Sequence, residues 1–236
     1  MICFIRSMFL NDRSMQAEYF DLPGQAVAET ALSYRELDRI NRIFQFSHPF
    51  VSQLPRWLGR EKCKKLEILD IGAGSGLLGR NMSRWAAKQG WQWTFTNLDT
   101  NAIDPPVGDP ARFVVGSAMD LPFADGSFDL VVASQMTHHL AVGDIVRHWR
   151  EAWRVSRDAV FICDLHRNAG LHSLLWLGMQ VMHVSPAIRH DGLASVRRGF
   201  RCPEWRKFAE TAAIPHAHVW LYYGTRIVMQ ARKAAR

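Results

Sequence analysis

Three glycines at alternate positions follow an acidic residue in the first third of the chain. The residues are Asp70, Gly72, Gly74 and Gly76. Glycine has no Cβ, so a ligand can approach the backbone closely at each of these positions. An apolar run at residues 66–71 precedes them and a helical pattern follows, so the first amides of that helix would point at the ligand. The arrangement predicts a nucleotide-type ligand at the first strand-to-helix turn of an α/β sheet.

The residues around this turn favour a cationic ligand over a dinucleotide. The dinucleotide fingerprint G-x-G-x-x-G needs a third glycine where this chain has Leu77. The carboxylate of Asp70 would repel a pyrophosphate but would stabilise a positive charge. S-adenosylmethionine carries a sulfonium and an ammonium group and has no phosphate, so we favour it over NAD.

A second acidic residue stands where a ribose would lie. Asp99 ends the second predicted strand, 23 positions after Gly76. A carboxylate at this place can accept hydrogen bonds from both ribose hydroxyls. The alternative is that Asp99 caps the turn that begins at Thr100 and Asn101.

Residues 116–129 read Gly-Ser-Ala-Met-Asp-Leu-Pro-Phe-Ala-Asp-Gly-Ser-Phe-Asp. This stretch resembles the G-D-A-x-x-L-P-F-x-D-x-S-F-D pattern of methyltransferases related to those of ubiquinone and menaquinone biosynthesis. Ser117 departs from it, because aspartate is common there. The glycine turn resembles motif I, D-x-G-x-G-x-G, of the class I S-adenosylmethionine-dependent methyltransferases. The resemblance to this family extends from Leu66 to Arg232. The first 60 residues show less of it.

The resemblance implies that S-adenosylmethionine is the cofactor and indicates its contacts. Asp99 matches the family's motif II acid, and the acid matching Asp120 accepts from the adenine amino group. The residue matching Met119 gives a backbone amide and apolar surface to the ring. The predicted cofactor-binding residues are Asp70, Gly72, Ala73, Gly74, Gly76, Asp99, Thr100, Ala118, Met119, Asp120, Ser134 and Gln135.

The loop at residues 134–140, Ser-Gln-Met-Thr-His-His-Leu, follows the fourth predicted strand, where the transferred methyl should point. It has no Asn/Asp-Pro-Pro-aromatic motif for planar amines, no Pro-Cys nucleophile and no acids to hold an ion. A small, metal-free acceptor site is therefore expected. His138 and His139 are candidate general bases, since neutral imidazole can take a proton near pH 7. The alternative is that both histidines only support the loop. Asp164 and His166, at the carboxyl end of the fifth predicted strand, are expected on the same side.

The elements that position these residues predict an α/β fold. We expect a seven-stranded, doubly wound, Rossmann-like sheet with N-terminal helices and a helical lid insertion before the last helix. The expected division is an N-terminal extension with cap helices at residues 1–60 and a methyltransferase domain at residues 61–236. Asp144 is expected to cap a helix that runs to Val155. The insertion, residues 166–201, contains a helix apolar nearly all round, which should be buried or cover an apolar ligand. An extra packing layer or a dimer contact is the alternative.

The amino-acid composition indicates the cellular compartment of the protein and the kinds of partner it binds. The hydrophobic fraction is 48%, and no apolar run approaches the roughly 18–20 residues of a membrane span. The four cysteines are scattered, which argues against a zinc site or a disulfide framework and favours a cytoplasmic setting. The net charge of +7 comes in short basic groups rather than a long tract, so nucleic acid is the less favoured partner. The oligomeric state is left open.

The sequence thus predicts an S-adenosylmethionine-dependent methyltransferase that acts on a small metabolite by direct displacement. The acceptor is expected to be apolar, phenolic or polyketide-like, methylated at oxygen or carbon, as in secondary metabolism. Two alternatives remain: an RNA methyltransferase, which the positive charge favours, and a catalytically inactive cofactor-binding partner protein.

Overall fold

The computed structural model describes residues 10–18, 36, 38–101, 108–182 and 184–234. The predicted N-terminal extension falls partly outside these residues. The described strands are β1 (Lys65–Ile71), β2 (Gln92–Asp99), β3 (Arg112–Val115), β4 (Phe128–Ser134), β5 (Ser156–Leu165), β6 (His218–Tyr222) and β7 (Arg226–Arg232). The described helices of eight or more residues are α1 (His48–Leu58), α2 (Leu77–Lys88), α3 (Val142–Val155), α4 (Ala169–Val181), α5 (Pro186–Arg198) and α6 (Cys202–Thr211).

The strands form one sheet in the order β3-β2-β1-β4-β5-β7-β6. The first five strands in this order are parallel, whereas β7 runs antiparallel to both β5 and β6. The chain order reverses between β1 and β4, which is the switch point where α/β sheets bind ligands. The predicted seven-stranded, doubly wound sheet is confirmed.

Helices cover both faces of the sheet, because the central strands are apolar on both sides. On one face α1 and α2 pack through Phe50, Leu54 and Met82, all of which are fully buried. On the other face α3 and α6 meet through Trp149 and Trp205, whose ring centroids are 5.2 Å apart. In the described part of the chain, no helix combines the length and the apolar character that crossing a bilayer would require.

The start of α3 corrects one prediction. Asp144 was expected to cap this helix, but α3 begins at Val142 with Ala141 as its N-cap, which makes no side-chain capping bond. Asp144 lies in the first turn, where its charge still favours the helix N-terminus. The insertion also holds two helices rather than one. Ser185 caps α5 by accepting from the amide of Ile188 at 3.4 Å, and Pro186 is the first helical residue.

The two insertion helices pack closely at the carboxyl edge of the sheet. A Cβ on Gly192 of α5 would lie 2.1 Å from Cε of Met179 in α4, so the two helices are in direct contact and the flexible end of Met179 would have to shift. Leu175 and Met179 thereby join a buried cluster with Leu165, the last residue of β5. Only the inner side of α4 is covered, however. Of the two expectations for this helix, burial is wrong for its outer side, and the covering of an apolar ligand stays a prediction.

Candidate active site

Asp70 lies near the end of β1, and its carboxyl group is buried in the sheet. The residue is 1% exposed, and Oδ2 has no hydrogen-bond partner within the described ranges. Burial, and then the charge of Asp99, raise the pKa of Asp70 to about 8. A buried carboxyl group of this kind is stabilised when a cation approaches it.

The glycine turn after β1 requires residues without a Cβ. Gly72, Gly74 and Gly76 have φ angles of 69°, 52° and 76°, in the left-handed region that favours glycine. A Cβ on Gly72 would lie 2.6 Å from the Cβ of Met136, in the loop after β4. The turn and that loop are therefore in direct contact, because β1 and β4 are neighbours in the sheet.

Asp99 connects the loops that follow β1 and β2. Its Oδ2 accepts from the amide of Gly74 at 2.9 Å, and its Oδ1 accepts from the amide of Asn101 at 3.0 Å. The capping role proposed as an alternative is thus present. Each carboxylate oxygen has a second lone pair, so the ribose role remains compatible with these bonds. Thr100 beside it is exposed.

The segment predicted to hold the adenine is a tight turn. Ser117 and Asp120 form a bridge, and the Oγ of Ser117 accepts from the amide of Met119 at 3.2 Å. Ala118 is buried and packs into the core, whereas Asp120 is exposed. The amide predicted to reach the adenine ring therefore has an internal partner in this structure.

The loop after β4 begins in a constrained conformation. Ser134 ends β4 opposite Cys163 of β5. Gln135 follows with a φ of 54°, and its amide donates to the carbonyl of Cys163 at 2.9 Å. The next residues form a 3₁₀ turn, Thr137–His139, which places the two histidines beside the end of β5.

His138 is held from two sides by carboxylates. Its Nδ1 lies 2.7 Å from Oδ1 of Asp164, and its amide donates to Oδ2 of the same residue at 3.0 Å. Burial raises the pKa of Asp164, but the charge and hydrogen bond of His138 outweigh it and hold the pKa below its ordinary value. Because Asp164 is an acceptor, the geometry makes Nδ1 the donor and turns Nε2 toward Glu18, 3.6 Å away.

His139 is the accessible member of the pair. Its side chain is 35% exposed, against 3% for His138, and the two rings are 4.3 Å apart between centroids. Its Nε2 lies 3.9 Å from Oε2 of Glu18. The structure therefore places His138 beneath the loop and His139 at its surface.

Residues 10–18, here called the N-terminal strap, lie across this loop. Arg13 donates from Nη2 to the carbonyls of His138 at 2.8 Å and Leu140 at 2.9 Å. Glu18 accepts from the Oγ of Ser195 in α5 at 2.8 Å. Arg13 and Glu18 carry no sequence signal for this role, since they lie in an irregular stretch more than 100 residues from the groups they contact. Asp164 lies at the edge that the sequence predicts, but its pairing with His138 is visible only in the structure.

Glu18, His138 and His139 also present one ligand atom each within 4.8 Å of one another, as a metal site would. The Nη1 of Arg198 lies 3.8 Å from Oε1 of Glu18, and its positive charge opposes a cation there. The metal-free site expected from the sequence remains a prediction.

A recess of about 350 Å³ opens at the same edge of the sheet, beside the β6–β7 turn. Phe44, Tyr222 and Tyr223 line part of it, together with polar side chains such as His48 and Arg226. Arg226 is 8% exposed and donates to the carbonyl of Phe44.

Comparison with known proteins identifies this arrangement. Residues 69–163 match a family model described as a methyltransferase domain. The match indicates a methyltransferase domain in residues 69–163. The seven-stranded sheet predicted from the sequence is confirmed, and the match agrees with the predicted methyltransferase family and with S-adenosylmethionine as the predicted cofactor.

Individual relatives of this methyltransferase are moderately similar. The demethylmenaquinone methyltransferase of Roseiflexus sp. (strain RS-1) is 33% identical over 114 residues, which cover 47% of this chain and 46% of that protein. The chain thus spans about half the length of the curated relatives it matches. A Methanococcus maripaludis structure described as an S-adenosyl-L-methionine-dependent methyltransferase has a TM-score of 0.61 at 15% identity and covers 91% of this chain and 98% of that one. The 1,6-didemethyltoxoflavin-N1-methyltransferase of Burkholderia thailandensis has a TM-score of 0.51 at 18% identity, covering 91% and 93%.

The methyltransferase's own residues fit this cofactor at the glycine turn. Asp70 supplies a buried carboxyl oxygen without a partner in the described part of the chain, and the three glycines leave the backbone open. A cation beside Asp70 would favour the charged form of its carboxyl group, which burial otherwise disfavours.

We expect cofactor binding by the methyltransferase to depend on pH through Asp70. With a pKa of about 8, the free protein carries a proton on Asp70 at neutral pH. A bound cation lowers that pKa, so binding releases the proton and affinity rises with pH by up to roughly tenfold per unit until pH 8. In the unliganded protein the same raised pKa means that stability falls as pH rises from about 4 to about 8 and levels off above that.

Calorimetry in buffers of different ionisation enthalpy measures this proton release directly. Asp70→Asn is the matched variant, because its residue 70 has no proton to release. The number of protons released by the parent minus the number released by this variant gives the contribution of Asp70, since the ligand's own amino group contributes equally in both. An identical pH dependence in both proteins would show that Asp70 does not face the cofactor.

Proposed function

We propose that this methyltransferase transfers the methyl group of S-adenosylmethionine to oxygen or carbon of a small, largely apolar metabolite of phenolic or polyketide type. The observation that carries the proposal is an accessible histidine at the edge of the sheet where the insertion packs a buried apolar cluster. His139 lies at the carboxyl edge of the sheet, and the insertion packs Leu175 and Met179 beside Leu165 at the same edge.

The cofactor would lie along the loops after β1, β2 and β3. Asp70 would face its positive charges and Asp99 its ribose hydroxyls, while Met119 and Asp120 would flank the adenine. Ser134 and Gln135 would line the methyl side, because β4 is next to β1 in the sheet. These roles follow the family's motifs and remain proposals.

The proposed reaction is a single displacement. When bound, S-adenosylmethionine supplies an activated methyl group and accepts the electron pair of the sulfur–carbon bond as that bond breaks. His139 would take the proton of the acceptor hydroxyl through Nε2 as the new oxygen–carbon bond forms. His138 and Asp164 would position the loop that carries His139. Alignment of this kind can supply up to roughly 7–11 kcal/mol of barrier reduction.

Two similar proteins support a small acceptor. One carries the name demethylmenaquinone methyltransferase, and the structure of another contains bound 1,6-didemethyltoxoflavin and S-adenosylhomocysteine. Both names refer to small molecules rather than to a protein or a nucleic acid.

A transfer assay with radiolabelled methyl donor and a panel of phenols, quinols and polyketide-like aromatics tests the proposal. Incorporation into at least one of them is expected. The net charge of +7 favours an RNA methyltransferase as the second candidate, so RNA is included in the panel. Label in RNA, with binding that weakens steeply as salt rises, would replace the small-molecule proposal. Cofactor binding without transfer to any substrate would favour the inactive partner protein.

A further inference from the structure

The recess beside the β6–β7 turn combines a buried cation with aromatic side chains. Its volume is about 350 Å³, and Arg226, Tyr222 and Tyr223 are among the residues that line it. Small-molecule sites in proteins begin at roughly this size, and they combine apolar walls with a few polar groups that fix the orientation of the ligand. The residues of this recess therefore meet the chemical requirements of a small-molecule site.

The guanidinium group of Arg226 is buried, and within the described ranges it is only partly hydrogen-bonded. Arg226 is 8% exposed and donates to the backbone carbonyls of Phe44 and Gln45. The ring of Phe46 covers one face of the guanidinium group, at 4.7 Å from Cζ to the ring centroid. Because a guanidinium group carries five N–H donors, the two carbonyl bonds leave donors for a further acceptor.

The charge of Arg226 is not balanced by a carboxylate of any described residue. Burial lowers the pKa of Arg226, and the groups that oppose this effect are the thiol of Cys163 and the phenol of Tyr222. Burial raises the pKa of both groups, to about 12 for Cys163, so both are neutral near pH 7. A buried charge without a counter-charge is unfavourable, and an anion in the recess would remove that cost.

The β6–β7 turn holds an aromatic side chain beside the recess in an unusual backbone conformation. Tyr223 has a φ of 47° and is followed by Gly224 with a φ of 68°. The left-handed region is rare for bulky residues, and such strained residues are concentrated at functional sites and ligand clamps. Tyr223 is 80% exposed, and its ring lies 6.5 Å from that of His48 between centroids, at an interplanar angle of 23°. These rings offer faces on which a planar ligand can stack.

The recess is separate from both parts of the proposed active site. Strand β7 is three positions from β1 in the sheet, which places the recess roughly 14 Å across the sheet from the glycine turn. In β7, Ile227 pairs with Asp164 and Arg226 pairs with Leu165. Because successive side chains point to opposite faces, Arg226 points away from the face on which Asp164 holds His138. A ligand in the recess therefore occupies a site other than those of the cofactor and the acceptor.

We propose that this recess binds an aromatic carboxylate. The carboxylate accepts two hydrogen bonds from Arg226, because the planar guanidinium and carboxylate groups match in geometry. The aromatic ring of the ligand stacks against Tyr223 and His48. Thr225 also lines the recess and offers a further hydrogen-bonding group. The proposal does not depend on the proposed function, since neither the cofactor nor methyl transfer takes part in this binding.

Binding of benzoate and 2-naphthoate to the full chain, measured by ligand-observed NMR and calorimetry, tests the proposal. Both should bind in the presence of saturating S-adenosylhomocysteine. Benzamide and 2-naphthamide have the same shape without the charge and should bind about tenfold more weakly or less. Arg226→Gln should lower the affinity for benzoate by about tenfold or more, because it removes the charge-assisted hydrogen bonds. Arg112→Gln is the matched control, since Arg112 begins β3 as Arg226 begins β7 but is exposed, and it should bind benzoate like the parent protein.

A second variant keeps the proposal testable if Arg226→Gln does not fold, which circular dichroism and thermal melting show. Tyr223→Ala removes an exposed side chain, so the core of the protein stays intact. It should lower the affinity for 2-naphthoate by about threefold or more, because it removes a stacking surface. Leu221→Ala, at another exposed apolar position of β6, is its control and should bind 2-naphthoate like the parent protein.

Four results would overturn the proposal. They are no binding of either carboxylate, equal binding of the amides, displacement of the carboxylates by S-adenosylhomocysteine, and unchanged affinity in either folded variant. Inorganic phosphate that binds as tightly as benzoate would also overturn it, because the aromatic rings would then contribute nothing. These measurements need no methyl donor, so a failed transfer assay would count against the proposed function and leave the result for the recess standing.

Discussion

The variant Gly72→Ala is expected to lose most of its affinity for S-adenosylmethionine and S-adenosylhomocysteine. Its new Cβ would lie 2.6 Å from the Cβ and 2.8 Å from the Cγ of Met136. These atoms are at the root of the side chain, so the backbone of the β1 turn or the β4 loop must move to relieve the clash. The two segments form the proposed cofactor cleft, so their movement displaces the groups that would contact the cofactor. Calorimetric titration with S-adenosylhomocysteine measures the loss.

The variant Gly90→Ala is the control for Gly72→Ala, because it introduces the same backbone strain without the clash with Met136. Gly90 has a φ of 73°, close to the 69° of Gly72, but a Cβ there would meet nothing within 4 Å. Both variants place an L-residue in the left-handed region, at a cost of about 1–2 kcal/mol of stability. Only Gly72→Ala should lose cofactor affinity, and adding Met136→Gly should restore part of it. If both single variants bind the ligand as the parent does, contact between the two loops is not needed for binding.

The sheet could be predicted because each of its strands has a local signature. Residues 66–71 are apolar and end in a glycine turn, which is sufficient to place β1 at the centre of a parallel sheet. The edge that carries the site follows from this order, since the carboxyl ends of β1, β2, β4 and β5 are neighbours. For the same reason the positions of Asp70, Asp99 and the histidine loop could be predicted without coordinates.

Contacts between distant segments left no such signature. Nothing local to Glu18 or Arg13 indicates that they reach the histidine loop, because a single polar residue in an irregular segment has many possible partners. The pairing of Asp164 with His138 depends on the register of β4 and β5, which places Ser134 opposite Cys163. A shift of one residue in that register would turn the carboxylate to the other face of the sheet. The sequence pattern does not determine register to that accuracy.

The outer side of α4 shows a different limit. Its sequence is apolar nearly all round, which predicts burial or contact with an apolar ligand because exposed apolar surface is costly. The structure covers only the side that faces α5, through Leu175 and Met179. The sequence of a helix shows how much apolar surface it has. It does not show which side is covered, because that depends on the elements that pack against the helix.

Replacing His139 with glutamine is expected to lower the turnover of alkylphenols by about 10²-fold or more, with little change in affinity for S-adenosylhomocysteine. A general base contributes roughly 10²–10⁴-fold when it removes a proton in the transition state. Glutamine is close to histidine in size but cannot take that proton. His218→Gln, at an exposed position of β6, controls for the loss of a histidine elsewhere.

The acceptor series decides whether His139 acts as a base or only shapes the loop. A nitrophenol that is already ionised at slightly alkaline pH needs no base, whereas an alkylphenol does. His139→Gln should therefore methylate the nitrophenol at close to the parent rate while it fails with the alkylphenol. A structural role predicts equal losses for both acceptors, because a misplaced loop misaligns either one. Equal losses would thus assign His139 to the support of the loop, together with His138 and Asp164, and would leave proton removal to solvent.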